Sequence, residues 1–374
     1  MTKDENKKII VDNKRNRYWD IVKGFGILCI VLGHVCCPIM LRKFVYTFHL
    51  VIFFFVAGYF YNEDKYGNKP GEYFAARFKN MWGKYFFYTC ILVLLHNVFL
   101  YFKFYNDGQY YTFSNYISAI SHNLVFMCAE PFSSALWFVA VLIIANGIFA
   151  SIIFISRKIC LIINKEKISI KYISIIIITC LFGIIGTFLN ENKQEIILQI
   201  HTVYLVLPIY MIAYFFKILI NKYEENIKKI KWYIYLILSI LSGIFLYYIV
   251  KNGMEIELAQ EEIINSYMFY IVSIVGIIFC LSISKIIEKL PMIRNVFSVM
   301  GKHSFTIMAL HFVFIKLGEI GYMSILKISN LEIIKNFFIS NSGMIWIFYM
   351  IIGATIPTCI SILIDKMKNN IKRF

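Results

Sequence analysis

A chain of 374 residues that is 59% hydrophobic and 18% aromatic, with 16% charged residues and a net charge of +16, carries more apolar side chains than one water-soluble core can enclose. Its mean hydropathy of +0.68 excludes an ordinary soluble domain. The positive charge shows no aromatic-interleaved patch or nucleic-acid motif, so nucleic acid is not an expected partner and membrane lipid is.

A hydrocarbon layer about 30 Å thick is crossed by about 20 apolar residues in a helix. Ten stretches have that character: 20–40, 44–61, 85–101, 135–155, 172–189, 196–216, 232–250, 264–284, 304–326 and 337–364. The expected fold is an all-α integral membrane protein, a bundle of about ten transmembrane helices, with a tight turn at Pro38 joining the first two. Residues 1–19 and 365–374 read as polar tails and 20–364 as a single membrane domain, since the longest polar loops of about 30 residues leave no room for a separate soluble one. Of the 38 lysines and arginines, 29 fall in the tails and alternate loops on one side and 7 in the loops opposite. Basic loops stay in the cytoplasm, so both termini are expected there, in a multi-pass protein of the plasma membrane. The first stretch lacks a small-residue cleavage site and reads as a retained span. Nine cysteines lie mostly within the stretches without CxxC spacing or a histidine cluster, so they read as small apolar residues and no metal site is expected.

Within the first stretch, "DIVKGFGILCIVLGHV" keeps two ionisable residues, Lys23 and His34. Eleven residues amount to about three helical turns and about 16 Å of rise, which sets both on nearly one face. Lys23 lies at the cytoplasmic end, whereas His34 is expected some six residues inside the outer end, a depth at which an ionisable group faces protein or a water-filled cavity. "FVYTFHLVIFFFVAGYFY" brings His49 to a similar depth on the second stretch, and "LQIHTVYLVLP" brings His201 there on the sixth. A polar pocket opening outward accounts for His34 and His49; His201 reads as packing. Tyr59 and Trp137 read as interface belt or packing. Lys316 and Glu319, three residues apart, are expected to pair with each other. The loop "YNDGQYYTFSNYISAISHN" within 104–134 suits either stacking on a sugar or capping the bundle. His96, His122 and His303 carry no discriminating signal.

These residues resemble a family. "RYWDIVKGFGILCIVLGHV" is similar to the first membrane helix of the acyltransferase-3 family of integral-membrane O-acyltransferases, whose hallmark is Arg or Lys, ten residues, then His: here Lys23 and His34. "FHLVIFFFVAGYFY", "SALWFVAVLI" and "GKHSFTIMALHFVF" resemble later family segments in the same order. Where members often carry Arg, two residues, Arg, this chain has Arg77 and Lys79, with Asn80 at the second arginine position. Met308 stands where the family has tyrosine ahead of the last histidine, His311. The resemblance is to the short members, including sugar O-acetylases of the fucose-acetylating type.

The resemblance implies acetyl-CoA as acyl donor and a carbohydrate as acceptor. A sugar hydroxyl needs a base to take its proton, and histidine titrates near neutral pH, so His34 is the candidate base or acyl relay. His49 is a second catalytic candidate that orients His34, binds the acceptor or packs. Lys23, Arg77 and Lys79 are candidates for the anionic nucleotide end of CoA. His311 is a candidate for binding substrate or for packing. The alternative is a transporter or polysaccharide exporter using the same polar cavity, against which Pro38, Pro208, Pro291 and Pro357 show none of the periodicity of inverted repeats.

Overall fold

The computed structural model describes residues 16–104, 108–164, 168–192, 197–258, 262–263, 268–325 and 343–371. Most of the 1–19 tail, the start of the tenth stretch at 337–342 and the last three residues lie outside the described residues. The chain forms α1 (Arg17–Gly33), α2 (Ile39–Tyr46), α3 (Val51–Tyr59), α4 (Glu63–Tyr66), α5 (Pro70–Leu94), α6 (His96–Tyr101), α7 (Phe113–Leu124) and α8 (Trp137–Asn164). It continues with α9 (Ile168–Glu191), α10 (Ile200–Lys222), α11 (Glu224–Lys228) and α12 (Trp232–Lys251). After α12 come α13 (Phe269–Ile287), α14 (Pro291–Lys302), α15 (Ser304–Ile325) and α16 (Ile345–Ile371). Between α12 and α13 runs a short antiparallel ribbon, β1 (Ile256–Glu257) with β2 (Glu262–Ile263), in which Ile256 faces Ile263.

Among the described residues, eight helical segments are long and apolar enough to cross a membrane, where the sequence reading has ten. The two that differ have physical reasons. The stretch at 20–40 is cut to the 17 residues of α1, short for a span. The stretch at 85–101 is divided between α5, which carries Glu72, Arg77, Lys79 and Lys84 ahead of its apolar end, and α6, which begins afresh at His96. The second span is the kinked pair α2 and α3, covering Ile39–Tyr59. The last helix, α16, runs on to Ile371, so much of the expected C-terminal tail is helical.

Helix α1 stands at the centre. Asn16 caps it, its Oδ1 accepting from the Tyr18 N–H at 3.0 Å, and Trp19 packs on Tyr59 with ring centroids 4.0 Å apart. It touches α2, α3, α13, α15 and α16 and packs most extensively on α14. Two glycines permit that last contact: a Cβ on Gly24 would lie 2.8 Å from the Phe297 carbonyl carbon, and one on Gly301 would lie 2.8 Å from the Gly24 nitrogen. The two backbones therefore meet with no side chain between them. At the periphery α9 and α12 expose Ile177, Ile184, Phe188, Leu241, Ile244 and Tyr248, a surface suited to acyl chains and not to water.

A charged staple holds the turn after α3. Glu63 accepts from Lys171 on α9 at 2.9 Å, from Arg157 on α8 at 3.1 Å and from the Tyr214 hydroxyl on α10. Burial alone would raise the Glu63 carboxyl, but the Tyr214 hydroxyl, Lys171 and Arg157 outweigh it and hold it below its ordinary value of 4.5. A group depressed in this way stabilises fully above its ordinary value and loses that contribution as pH falls through the lower folded value. Glu63→Gln is expected to cost about 1–2 kcal/mol at pH 7. Thermal unfolding in detergent measures it, with the native-to-variant gap closing as pH is lowered through the carboxylate range.

The described part of the long loop packs on the bundle. Helix α7 packs on α5, with the Trp82 indole N–H donating to the Leu124 carbonyl at 3.3 Å. Tyr111 stacks on His96 at 3.5 Å, and His96 in turn pairs with buried Glu130 at 3.0 Å.

Candidate active site

His34 is not six residues inside a longer helix; it is the C-cap of α1. Its N–H donates to the Val31 carbonyl at 3.0 Å, and beyond it Cys36 adopts a left-handed φ of 48° and Pro38 opens α2. These two residues end the helix, because a left-handed turn breaks the ladder and proline supplies no N–H to continue it. The Tyr46 hydroxyl reaches back from α2 and donates to the Gly33 carbonyl at 3.3 Å, satisfying one of the oxygens left bare at the helix end. The imidazole therefore projects from a helix terminus held on both sides.

Two further histidines flank it. The break between α2 and α3 lets the His49 ring fold back, its Nδ1–H donating to the Val45 carbonyl at 3.0 Å while its face stacks on Tyr46 at 4.5 Å. With Nδ1 protonated, Nε2 is the lone-pair nitrogen. On α15, His311 donates from Nδ1 to the carbonyls of Ile307 at 3.1 Å and Met308 at 2.9 Å. Its ring centroid lies 5.3 Å from that of His34, and Phe312 closes over His34 at 4.7 Å.

His34 and His49 share the wall of a cavity of about 630 Å³ with Tyr46, Met308 and Phe312, a volume in the range of small-molecule sites. Arg42, Gln199 and Glu257 also line it, with Trp137 and Leu50 among the apolar surfaces. Glu257 arrives on β1, whose neighbour Glu255 forms an ion pair with Lys43 of α2, so the ribbon is tied beside the opening. Cys36 and Gln199, both on the wall, hold left-handed φ values of 48° and 50°. For non-glycine residues that costs about 1–3 kcal/mol each, a strain that collects where a site needs a defined shape.

The structure thus brings together His34, His49 and His311, which are separated by up to 277 positions in the chain. His34 is half-buried and lines the cavity; His311 is fully buried behind it, with its helix neighbours Met308 and Phe312 exposed to the cavity instead. Lys23, Arg77 and Lys79 are not on this wall. Lys23 pairs with Asp20 at 2.9 Å within α1, the Arg77 guanidinium lies 5.0 Å from the Tyr73 ring centre, and Lys79 is exposed. His201 is buried with its Nε2 3.0 Å from the Thr202 hydroxyl, and Lys316 and Glu319 form a buried ion pair at 2.7 Å. Trp137, read from the sequence as belt or packing, lines the cavity, whereas Tyr59 does pack, on Trp19.

Sequence reasoning missed Arg42, Tyr46, Gln199 and Glu257. Arg42 falls between the first two apolar stretches of the sequence and Glu257 between the seventh and eighth, where a charge is unremarkable, and Tyr46 offered one signal, its place three residues before His49. A polar chain at the start of α15 was also missed: Tyr88 to Thr306 at 2.8 Å, Thr306 to Ser361 at 3.1 Å and Ser361 to His303 at 2.7 Å. It joins α5, α15 and α16. Among the described residues no three histidine, cysteine or acidic side chains are grouped to hold a metal ion.

Residues 16–364 match the acyltransferase-3 family model, described as an acyltransferase domain. The chain belongs to the acyltransferase-3 family. The match takes in every helix from α1 to the membrane-spanning part of α16, so the histidine cavity lies wholly inside the acyltransferase domain. No curated protein and no solved structure matches the chain. It is a membrane acyltransferase, and the chemistry of its site must be argued from its own residues.

Proposed function

We propose that this acyltransferase moves an acetyl group from cytoplasmic acetyl-CoA to a hydroxyl of an extracytoplasmic or lipid-linked sugar, as an O-acetyltransferase of the plasma membrane with both termini in the cytoplasm. The observation that carries the reading is the convergence of His34 and His49 on one cavity whose lining includes Arg42, Gln199, Glu257 and Trp137. This lining suits a sugar: charged and amide groups of both hydrogen-bonding senses for hydroxyls, and an indole face for the ring. The basic bias of the loops on the terminal side supports the orientation.

In this reading the acceptor hydroxyl gives its proton to a lone-pair nitrogen of His34 as its oxygen bonds to the acetyl carbon. The C–S bond of the thioester then breaks, and the departing thiolate takes the proton from His34. His49, with Nδ1 fixed on the Val45 carbonyl, presents Nε2 to a second hydroxyl of the acceptor. Lys23, Arg77 and Lys79 lie toward the terminal side and hold the nucleotide end of the donor, Lys23 being drawn from Asp20 by the larger charge of its phosphates.

Membranes holding the chain and supplied with labelled acetyl-CoA are expected to place label on envelope glycans, and membranes without it are not. Trp137→Ala is expected to raise the acceptor KM about tenfold while the donor KM stays unchanged. Absence of transfer with donor and acceptor both present would overturn the reading and favour transport through the cavity.

A further inference from the structure

We infer that His311 is the positioning residue for His34: its Nε2 accepts a hydrogen bond from the His34 ring and so decides which His34 nitrogen is left to take a proton from the cavity. The inference rests on the proposed role of His34 as base, but its structural core is independent of any reaction.

His311 has only one way to serve. Two backbone carbonyls, of Ile307 and Met308, lie at 3.1 and 2.9 Å from Nδ1, and a carbonyl oxygen can only accept. Nδ1 therefore carries the proton, and Nε2 of the neutral ring carries a lone pair. That Nε2 is buried without a hydrogen-bond partner among the described residues, on a side chain with no solvent exposure. An unmet acceptor in such surroundings is costly, because burial has taken away the water that would otherwise satisfy it. Such a group calls for a donor.

The nearest ring able to supply one is His34. The two centroids are 5.3 Å apart with the planes 36° from each other. Each ring nitrogen lies little more than ~1 Å from its centroid, so this separation admits an N–H···N bond of about 3 Å after a small rotation of either ring. Phe312, 4.7 Å from His34 and 4.2 Å from His311, fills the space beside both rings and leaves them facing each other. His34 lines the cavity and His311 does not. In the inferred pairing one nitrogen of His34 faces the cavity and the other faces His311.

The consequence is a tautomer choice. Neutral imidazole carries one N–H, and with that N–H given to His311 the nitrogen facing the cavity must be the lone pair, which is the form a general base requires. When His34 accepts the hydroxyl proton it becomes an imidazolium with both nitrogens protonated, and His311 Nε2 remains as the acceptor for the inner one. The role is that of the carboxylate that orients a catalytic histidine in other acyl-transfer sites, taken here by a neutral imidazole. A neutral acceptor suits a buried position, since no charge is left there when the site is at rest.

The test uses the full chain in detergent or lipid, with histidine-selective 15N labelling and the His34 signals assigned by their loss in His34→Gln. In the native protein His34 is expected to show a single tautomer. His311→Leu, which keeps bulk but removes the acceptor, is expected to give a mixture of tautomers. His311→Gln, whose amide N–H can take the backbone carbonyls and whose oxygen can accept from His34, is expected to restore one form. In transfer assays normalised to folded protein, His311→Leu should lower kcat about 100-fold with both KM values unchanged, and His311→Gln should recover at least a tenth of the native rate. An unchanged His34 tautomer in His311→Leu overturns the inference, as does a loss in His311→Gln equal to that in His311→Leu. If native protein transfers no acyl group while the tautomers respond as described, the pairing stands and the proposed reaction falls.

Discussion

Replacing His34 with alanine is expected to lower acyl transfer by about 10²–10⁴-fold, the usual contribution of a positioned general base. The loss should fall on kcat, because in the proposed reading the lining residues Arg42, Gln199, Glu257 and Trp137 remain to bind acceptor and Lys23, Arg77 and Lys79 remain to bind donor. The fold should survive. His34 is only half-buried at a helix end, and the hydroxyl of Tyr46 caps the Gly33 carbonyl whatever side chain stands at position 34. Initial rates in membranes matched for protein amount measure the effect. A kcat within threefold of native would remove His34 from the chemistry and leave the cavity without a base in contact with the acceptor other than His49.

Gly301→Ala is the second large effect, and it acts on stability. A Cβ at this position would sit 2.7 Å from the Asp20 carbonyl carbon and 2.8 Å from the Gly24 nitrogen, so the obstruction is backbone against which no rotamer change gives relief. The helices must separate, and α14 holds α1 along its most extensive contact. A cost of about 3 kcal/mol or more is expected, at the upper end for overpacking. Thermal unfolding in detergent should show a large drop in Tm, and the yield of folded protein in membranes should fall. Since α1 carries both Lys23 and His34, residual folded protein should also transfer more slowly. Gly71→Ala is the control, because nothing lies within 4 Å of a Cβ there.

The helical membrane bundle was legible because hydropathy is a local property, and every long apolar helix betrays itself within its own residues. The end of α1 was not. "GFGILCIVLGHVCCPIM" is apolar on both sides of its one histidine, and the break at His34 depends on a left-handed Cys36 and on the Tyr46 hydroxyl arriving from the next helix. The division between α5 and α6 is likewise tertiary, since His96 is pinned by Glu130 and by the Gln109 carbonyl at 3.1 Å. Within the site, His34 and His49 stood out as ionisable residues in apolar surroundings, where their presence needs a reason. Arg42 and Glu257 did not, because in the sequence each falls between two apolar stretches, where a charge needs none. His311 could be noticed in its helix, but that its ring lies behind that of His34 follows only from how α15 packs on α1.

The most direct test of the account encloses an acceptor glycan in sealed proteoliposomes whose protein has its termini outward, with labelled acetyl-CoA added outside. The account predicts label on the enclosed glycan with the native chain and none with His34→Ala. Label that forms only when donor and acceptor share one side of the membrane, or that forms equally with His34→Ala, would contradict it.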